Sequence, residues 1–131
     1  MLIDGTRFGE ITIDGATYDH DVIIRLSGKV EKRRKRLSKE KYGTSHIISK
    51  AEANFVFEDG REPIFVGAGQ YGNVSLSPEA SAFFEKNKCC VVLEPTQQAL
   101  LTFNHSKSNK VALLHVTRSA SDSRLRAEAV S

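Results

Sequence analysis

Hydrophobic and polar positions alternate in the first part of the chain, which is the period of a half-buried β-strand. The alternation covers residues 8–13, and Asp14-Gly15 directly after it is a hairpin turn signal before a return strand at 16–18. A further apolar strand is indicated at 21–26. The charged stretch 29–35 can continue the sheet as an edge strand, where lysines and arginines discourage further pairing. The pattern predicts an N-terminal set of antiparallel strands.

After a polar connection between Leu37 and Ile48, short apolar runs alternate with segments of helical spacing. Ser49 with Glu52 three positions later has the form of a capping box before a short helix. Ser77-Pro78 is an N-cap followed by proline at the first helical position, and Pro95-Thr96 opens another helix. The buried strands predicted between the helices are 64–66, 89–93 and 111–116.

Antiparallel strands followed by alternating strands and helices predict an α/β fold with three layers, β+β/α. We expect a central mixed sheet, N-terminal antiparallel strands and about three helices within one domain, residues 1–117. Residues 118–131 are rich in serine, arginine and alanine, a composition that does not pack a core. A disordered tail is predicted there.

Composition agrees with a folded domain, because 40% of the 131 residues are hydrophobic and 27% are charged. Every apolar run is far shorter than the ~20 residues that cross a bilayer. The first 13 residues have neither a secretory nor an organellar presequence pattern, so we expect a cytoplasmic protein without a membrane partner. The adjacent Cys89 and Cys90 pair poorly with each other and fit a reducing compartment.

Several short runs carry a family resemblance. They are Arg7-Phe8-Gly9, His20-Asp21-Val22-Ile23-Ile24, Ser27-Gly28-Lys29-Val30, Lys41-Tyr42-Gly43-Thr44-Ser45-His46, Val66-Gly67-Ala68-Gly69-Gln70-Tyr71-Gly72, Pro95-Thr96 and His115-Val116-Thr117. Together they resemble the archaeal branch of the Mth nine-three-eight domain family, a family of unknown function, over nearly all of residues 1–117.

The resemblance implies a compact three-layer fold with a central mixed sheet. Eukaryotic relatives include an adipogenesis-associated protein and a mitochondrial assembly factor for respiratory complex I, so the resemblance favours binding over catalysis by analogy. Many relatives end in histidine, a β-branched residue, threonine and cysteine. Here Arg118 follows Thr117, which argues against a thiol role at that position.

Gly67, Gly69 and Gly72 follow a predicted strand with the G-x-G-x-x-G spacing of dinucleotide-binding loops. In a dinucleotide fold the third glycine packs inside the helix, whereas Ser77-Pro78 places this helix start after Gly72. Two other readings stay open: a tightly turning glycine loop, or a backbone-lined cleft that accepts a phosphate or carboxylate.

Thr44, Ser45 and His46 bring two hydroxyls and an imidazole into one loop. A nucleophile and its base must converge in space, and adjacent side chains of an extended loop usually diverge. Hydrogen bonding within the loop is the simpler interpretation. The alternative gives His46 the role of acid or base, with Ser45 or Thr44 near the reacting group.

Residues 29–41 are strongly basic and, with a net charge of +3, indicate an anionic partner or a solvated edge. Nucleic-acid binding through this segment would be weak, because aromatic side chains for base stacking are nearly absent and only Tyr42 lies nearby. The histidines and cysteines have no metal-ligand spacing, so neither a metal nor another cofactor is expected.

These observations predict a small binding or assembly domain without enzymatic activity, with another protein as the main partner. The alternatives are an enzyme or sensor for a small anionic metabolite, and a weak nucleic-acid binder. Predicted ligand contacts are Tyr42, Thr44, Ser45, His46, Gly67, Gly69, Tyr71 and Gly72. Predicted anion or nucleic-acid contacts are Lys32, Arg33, Arg34, Lys35 and Arg36.

Overall fold

The computed structural model describes residues 3–7, 9–58, 63–106, 110–116, 125–126 and 129–130. The strands are β1 Ile3–Arg7, β2 Glu10–Ile13, β3 Ala16–Tyr18, β4 Val22–Ile24, β5 Val30–Lys32, β6 Ile47–Ile48, β7 Ile64–Gly67, β8 Ser75–Leu76, β9 Val91–Glu94, β10 Val111–Leu114, β11 Leu125–Arg126 and β12 Ala129–Val130. The helices are α1 Arg36–Tyr42, α2 Lys50–Val56, α3 Pro78–Lys86 and α4 Thr96–His105.

The central sheet has five strands in the order β5-β4-β10-β7-β9. β10, β7 and β9 are parallel to one another, while β4 is antiparallel to both β10 and β5. A second, antiparallel sheet has the order β1-β2-β3. Asp14 and Gly15 both adopt positive φ in the turn between β2 and β3, as the hairpin signal predicts.

Each face of the central sheet is covered by a different layer, because successive strand residues point to opposite sides. Ile23, Val66 and Leu113 belong to the core beneath α2 and α3. The opposite face packs against β1, β2 and α4, and its core includes Val22, Ile24, Phe65, Leu114, Ile11, Ile13, Leu100 and Phe103. The predicted α/β fold with three layers and a mixed central sheet is confirmed.

The described residues contain four helices where about three were expected, and α1 is the additional one. It lies within the segment that the polar pattern assigned to a connection. Ser38 is the buried residue of α1, so this helix has no apolar stripe from which a periodic pattern could be recognised. Gly43, with φ of 72°, ends it in the left-handed conformation.

Both predicted serine N-caps are confirmed. The Ser49 hydroxyl accepts from the amide of Glu52, and the Ser77 hydroxyl accepts from that of Ala80. The reciprocal half of the capping box at α2 is not formed, because the Ser49 amide donates to the Ser38 hydroxyl at 3.0 Å. The Glu52 side chain is therefore directed elsewhere.

Most of the predicted tail at 118–131 lies outside the described residues, and its disorder stays a prediction. Within it, β11 and β12 pair antiparallel. β5 occupies an edge of the central sheet, as expected for the charged segment. In the described part of the chain, each helix is too short or too polar to cross a bilayer.

Candidate functional site

The carboxyl ends of β7 and β10 and the amino end of the antiparallel β4 meet along one side of the central sheet, across the strand ends, and we call this side the carboxyl edge. The residues that follow or precede these strands are consequently neighbours. The amide of His115, directly after β10, donates to the carbonyl of Gly67 at 2.9 Å. Asp21, directly before β4, lies beside His115. Open α/β sheets bind ligands at the carboxyl ends of their strands, so this edge is the candidate site.

Asp21 is the buried acid of this edge. Its Oδ2 atom lies 2.8 Å from Nδ1 of His115 and 2.9 Å from Nη1 of Arg33, while its Oδ1 accepts from the amide of Val116 at 2.8 Å. Burial acts to raise the pKa of Asp21, but the hydrogen bond and charge of His115, together with Lys35 and the Val116 amide, lower it well below the usual range. Asp21 is therefore ionised at neutral pH.

Arg33 is the central cation, and its side chain is completely buried. It forms a forked ion pair with Glu52, with Nε 2.5 Å from Oε2 and Nη2 3.0 Å from Oε1. Nη2 also donates to the carbonyl of Ser45 at 2.7 Å. Arg33 was one of the predicted anion contacts. This prediction is corrected, because the Arg33 donors are directed to groups inside the protein and not to solvent.

Serine hydroxyls complete this buried cluster. Ser38 donates to Oε1 of Glu52 and accepts from the amide of Ser49, whose own hydroxyl donates to the carbonyl of Leu37 at 2.8 Å. We refer to Asp21, Arg33, Ser38, Ser49 and Glu52 as the buried charge network. It connects β4, α1, α2 and the 42–46 loop, and each of its charges has an opposite charge beside it.

His46 is exposed and lies at the rim of the network. Its ring contacts that of His115 edge-on, with ring centroids 5.4 Å apart and an interplanar angle of 78°. Partial burial lowers the pKa of His46, and the positive charges of His115, Arg33 and Lys35 lower it further. The neutral imidazole is consequently the favoured form at pH 7.

Several backbone groups of the glycine loop after β7 are bonded internally. The Gly69 amide donates to Oγ1 of Thr96 at 2.8 Å, and the Thr96 amide donates back to the Gly69 carbonyl at 3.0 Å. The amides of Ala68 and Val74 are also bonded, to Glu94 and Ala68 carbonyls. These amides already have partners inside the protein, so they are not available to an anion.

Close packing explains why residue 67 is a glycine. A Cβ atom on Gly67 would lie 3.0 Å from Leu114 Cδ2 and 3.0 Å from Thr96 Oγ1. Gly67 and Gly69 are buried, so these two predicted ligand contacts are corrected to structural roles. The helix after the loop begins at Pro78, well beyond Gly72, as the argument against a dinucleotide fold requires.

The glycine loop and the 42–46 loop are joined through the strands that follow them. β6 pairs in parallel with β8, and the amide of Ser75 donates to the carbonyl of His46 at 2.8 Å. His115 touches both loops, through its amide to Gly67 and its ring to His46. Among the predicted ligand contacts, those that reach solvent are Tyr42, Thr44, His46, Tyr71 and Gly72, and we call them the carboxyl-edge surface.

The other predicted residues of the 42–46 loop have local roles. The Tyr42 hydroxyl donates to Oε1 of Glu79 at 3.0 Å and connects α1 to α3. The Thr44 hydroxyl accepts from the amide of His46. Ser45 is buried, so its place among exposed ligand contacts is corrected. In the described chain no hydrogen bond joins the Thr44 or Ser45 hydroxyl to an imidazole.

A cavity of about 440 Å³ adjoins the network beyond Asp21, and we call it the basic cavity. Its lining consists of His20, Asp21, Lys32, Arg33, Arg34, Lys35, Arg36 and Leu37. Lys32, Arg34 and Arg36 are exposed, and the ammonium of Lys35 lies 3.8 Å from Oδ2 of Asp21. Four of the five predicted anion contacts therefore surround one concavity, with Arg33 in its wall.

The sequence did not indicate a role at the candidate site for Glu52, Ser38 or Thr96. Glu52 fits the capping-box spacing, and that signal indicated a helix start but not a buried ion pair. Thr96 stands at the first position of α4, where its hydroxyl is aimed back at the glycine loop. Within the described residues, no group of three or more histidine, cysteine or acidic side chains is arranged to hold a metal.

Known proteins match this chain over nearly the whole described domain. A family model described as a protein of unknown function (DUF498/DUF598) matches residues 3–115. The conserved hypothetical protein PH1505 from Pyrococcus horikoshii is 39% identical, with a TM-score of 0.80, over 89% of this chain and 99% of that one. The structure named MT938 is 29% identical, with a TM-score of 0.74, over 88% and 97% of the two chains.

A more distant structure shares the fold. A Bordetella pertussis protein described as a Mth938-like domain is 17% identical with a TM-score of 0.60, over 89% of this chain and 86% of that one. No curated protein matches the chain at a significant level.

Proposed function

Since this chain belongs to the DUF498/DUF598 family of Mth938-like domains, whose description assigns no function, we propose from its own geometry that it is a non-enzymatic binding domain for a protein partner. The proposed recognition site is the carboxyl-edge surface. The observation that carries the proposal is the joining of two loops, with Tyr71 66% exposed, whose backbones are held by Arg33 of the buried charge network and by Thr96.

Rigidity of the two loops supports binding. Arg33 holds the Ser45 carbonyl, and Thr96 holds both backbone groups of Gly69. Loops fixed before association lose little conformational entropy when a partner binds. Tyrosine is enriched at the centres of protein interfaces, because it buries a large area with few rotatable bonds. Tyr71 and His46 are accordingly the proposed anchors.

The hydrogen bonds of the network favour a structural role over a chemical one. Arg33 uses Nε, Nη1 and Nη2 on Glu52, Asp21 and Ser45, while Asp21 accepts from three groups. A catalytic site instead needs a nucleophile within hydrogen-bond reach of its base. Among the described residues, the hydroxyls of the 42–46 loop are not bonded to the imidazole ring of His46 or of His115, and this supports recognition without turnover.

Photo-cross-linking in the native host tests the proposal. We would replace Tyr71 or His46 by p-benzoylphenylalanine, with the exposed Lys86 on α3 as the matched control position. We expect one discrete protein adduct from positions 71 and 46 and none from position 86. After identification of that protein, His46→Ala/Tyr71→Ala should weaken the reconstituted complex at least tenfold.

Identical adducts from all three positions would contradict the proposal. So would a reconstituted complex whose dissociation constant is unchanged by the double substitution. Both proteins must keep their melting temperatures for the comparison, and the two exposed substitutions leave the buried network intact.

Proton transfer on a small anionic metabolite is the second candidate function. It is favoured by Asp21, which orients His115 at 2.8 Å, and by the lowered pKa of His46 beside it. In this alternative His46 is the acid or base, and Lys35, whose charge acts on His46, attracts the anionic substrate. Depletion of a metabolite from an anionic mixture by the wild-type protein and by His105→Ala, but not by His46→Ala, would establish it. If the wild-type protein depletes no metabolite from the mixture, the enzymatic alternative is contradicted and the binding function remains.

A further inference from the structure

We propose that the basic cavity binds a small polyanion of the pyrophosphate type, at a site separate from the carboxyl-edge surface. This inference does not depend on the proposed protein partner. The two sites share the buried network as a common wall but expose different side chains to solvent. The ligand class follows from the charge, the arrangement and the size of the cavity.

The charge of the cavity is strongly positive. Its lining has five cationic side chains and one carboxylate, Asp21. Asp21 is paired with Arg33 at 2.9 Å and lies 3.8 Å from Lys35, so the floor of the cavity is close to neutral. Arg36 lies 4.0 Å from Glu40 in an exposed, solvent-screened pair, which leaves Lys32 and Arg34 as the main source of positive potential at the mouth. Among the described residues, neither Lys32 nor Arg34 has a carboxylate within ion-pair distance. Glu31, the adjacent acid, lies beside Arg25 and Lys29.

Two of the cations are held in place by the fold. The Arg34 guanidinium lies 4.7 Å from the centre of the Phe55 ring, a cation–π contact that fixes a flexible side chain. The Lys35 ammonium is held 3.8 Å from Asp21. Lys32 and Arg34 have no carboxylate at ion-pair distance among the described residues, so an anion between them would relieve the repulsion of like charges. Prior fixation also reduces the entropy that a ligand must offset.

Size and lining separate a small polyanion from a nucleic acid. A volume of about 440 Å³ falls within the usual range of small-molecule sites, roughly 300–1,000 Å³. The described lining contains no phenylalanine, tyrosine or tryptophan, and His20 is its one ring on which an unpaired base could stack. Guanidinium groups match phosphoryl oxygens with paired donors, and a lining of five cations with one carboxylate favours a multiply charged anion over a monoanion.

Calorimetric titration of the full chain with pyrophosphate tests the inference. We would compare wild type with Lys32→Gln/Arg36→Gln, which removes two exposed cavity cations and no buried contact. The matched control is Lys50→Gln/Lys86→Gln, which removes the same charge from exposed positions outside the cavity. We expect pyrophosphate to bind wild type and the control alike, and the dissociation constant of the cavity variant to be at least tenfold higher.

Equal weakening by the two double variants would overturn the site, because net charge alone would then account for binding. Absence of heat at millimolar pyrophosphate and low salt would overturn it as well. A single-stranded RNA 12-mer is the third titrant. If the RNA binds more tightly than pyrophosphate and depends on Lys32 and Arg36, the cavity is a nucleic-acid contact and the proposed ligand class is wrong.

Discussion

Arg33 and Asp21 are joined by a 2.9 Å hydrogen bond between two buried side chains that lie 12 residues apart in the sequence. Both come from a stretch whose charges would ordinarily be in water. The pair is stable inside the protein because Glu52, His115 and the Val116 amide supply further partners. Charges buried in this way are costly when one partner is lost.

Replacing Arg33 by methionine should lower the free energy of unfolding by about 3–5 kcal/mol, the range for breaking a buried ion pair. The substitution leaves Glu52 and Asp21 without their main counter-charge in a buried site. Urea denaturation measures the change. The control Arg36→Met removes an exposed cation and should alter stability by no more than about 0.5 kcal/mol. If Arg33→Met lowered the free energy of unfolding no more than Arg36→Met does, the network would contribute little to stability.

Acid should destabilise the domain through Asp21. The pKa of Asp21 is lowered in the folded protein, so the folded state binds fewer protons than the unfolded chain, whose aspartates titrate near pH ~3.9. The stabilisation is fully present above about pH 5 and is lost as the pH falls below that value. Unfolding free energies between pH 6 and 2 should therefore fall more steeply for wild type than for Asp21→Asn.

The exposed Asp19→Asn is the matched control for that experiment and should retain the steep wild-type dependence. A pH profile of Asp21→Asn that is parallel to wild type would assign acid sensitivity to other carboxylates.

The His46 imidazole should titrate below pH 6.5 in the folded protein, because partial burial and neighbouring positive charges lower its pKa. NMR observation of the ring protons gives the midpoint. In His115→Gln, whose amide can still donate to Asp21, the midpoint should rise, since one positive neighbour is gone. A midpoint at or above 6.5 in wild type would contradict the proposed environment of His46.

Thr96→Val should destabilise the protein by about 2–4 kcal/mol, because the Gly69 amide and the His115 carbonyl each lose a buried partner. Hydrogen exchange at the Gly69 amide should accelerate in parallel. Thr96→Ser keeps the hydroxyl and removes a methyl group, which costs about 1 kcal/mol. Equal exchange rates in the valine and serine variants would show that the hydroxyl does not hold the loop.

Local signals predicted much of the fold because they depend on short-range chemistry. Asp14-Gly15 adopts the positive φ angles of a hairpin turn, and Ser49 and Ser77 cap α2 and α3. β1 was not predicted, since its sequence IDGTR lacks strand alternation and its pairing comes from β2. α1 was missed for a similar reason, because its buried residue is a serine.

The candidate site was predictable only in part, because burial of a charge depends on partners distant in the sequence. Within the basic segment, nothing local distinguishes Arg33 from Arg34. Arg33 enters the core because Glu52 and Asp21 lie on the elements packed beside it. The glycine spacing is compatible both with a tightly turning loop and with an anion-binding cleft. At Gly69 the structure favours the turn, because the Thr96 hydroxyl already accepts from the Gly69 amide.

The bond from the Val116 amide to Asp21 spans 95 residues, and it constrains the order in which the domain can mature on the ribosome. Arg33 and Glu52 are 19 residues apart and can pair soon after both leave the exit tunnel. Asp21 acquires His115 and Val116 only when the last strand of the central sheet has been synthesised. Until His115 and Val116 have left the tunnel, the Asp21 carboxylate lacks two of its three hydrogen-bond partners, so the network is completed only after residue 116 has emerged.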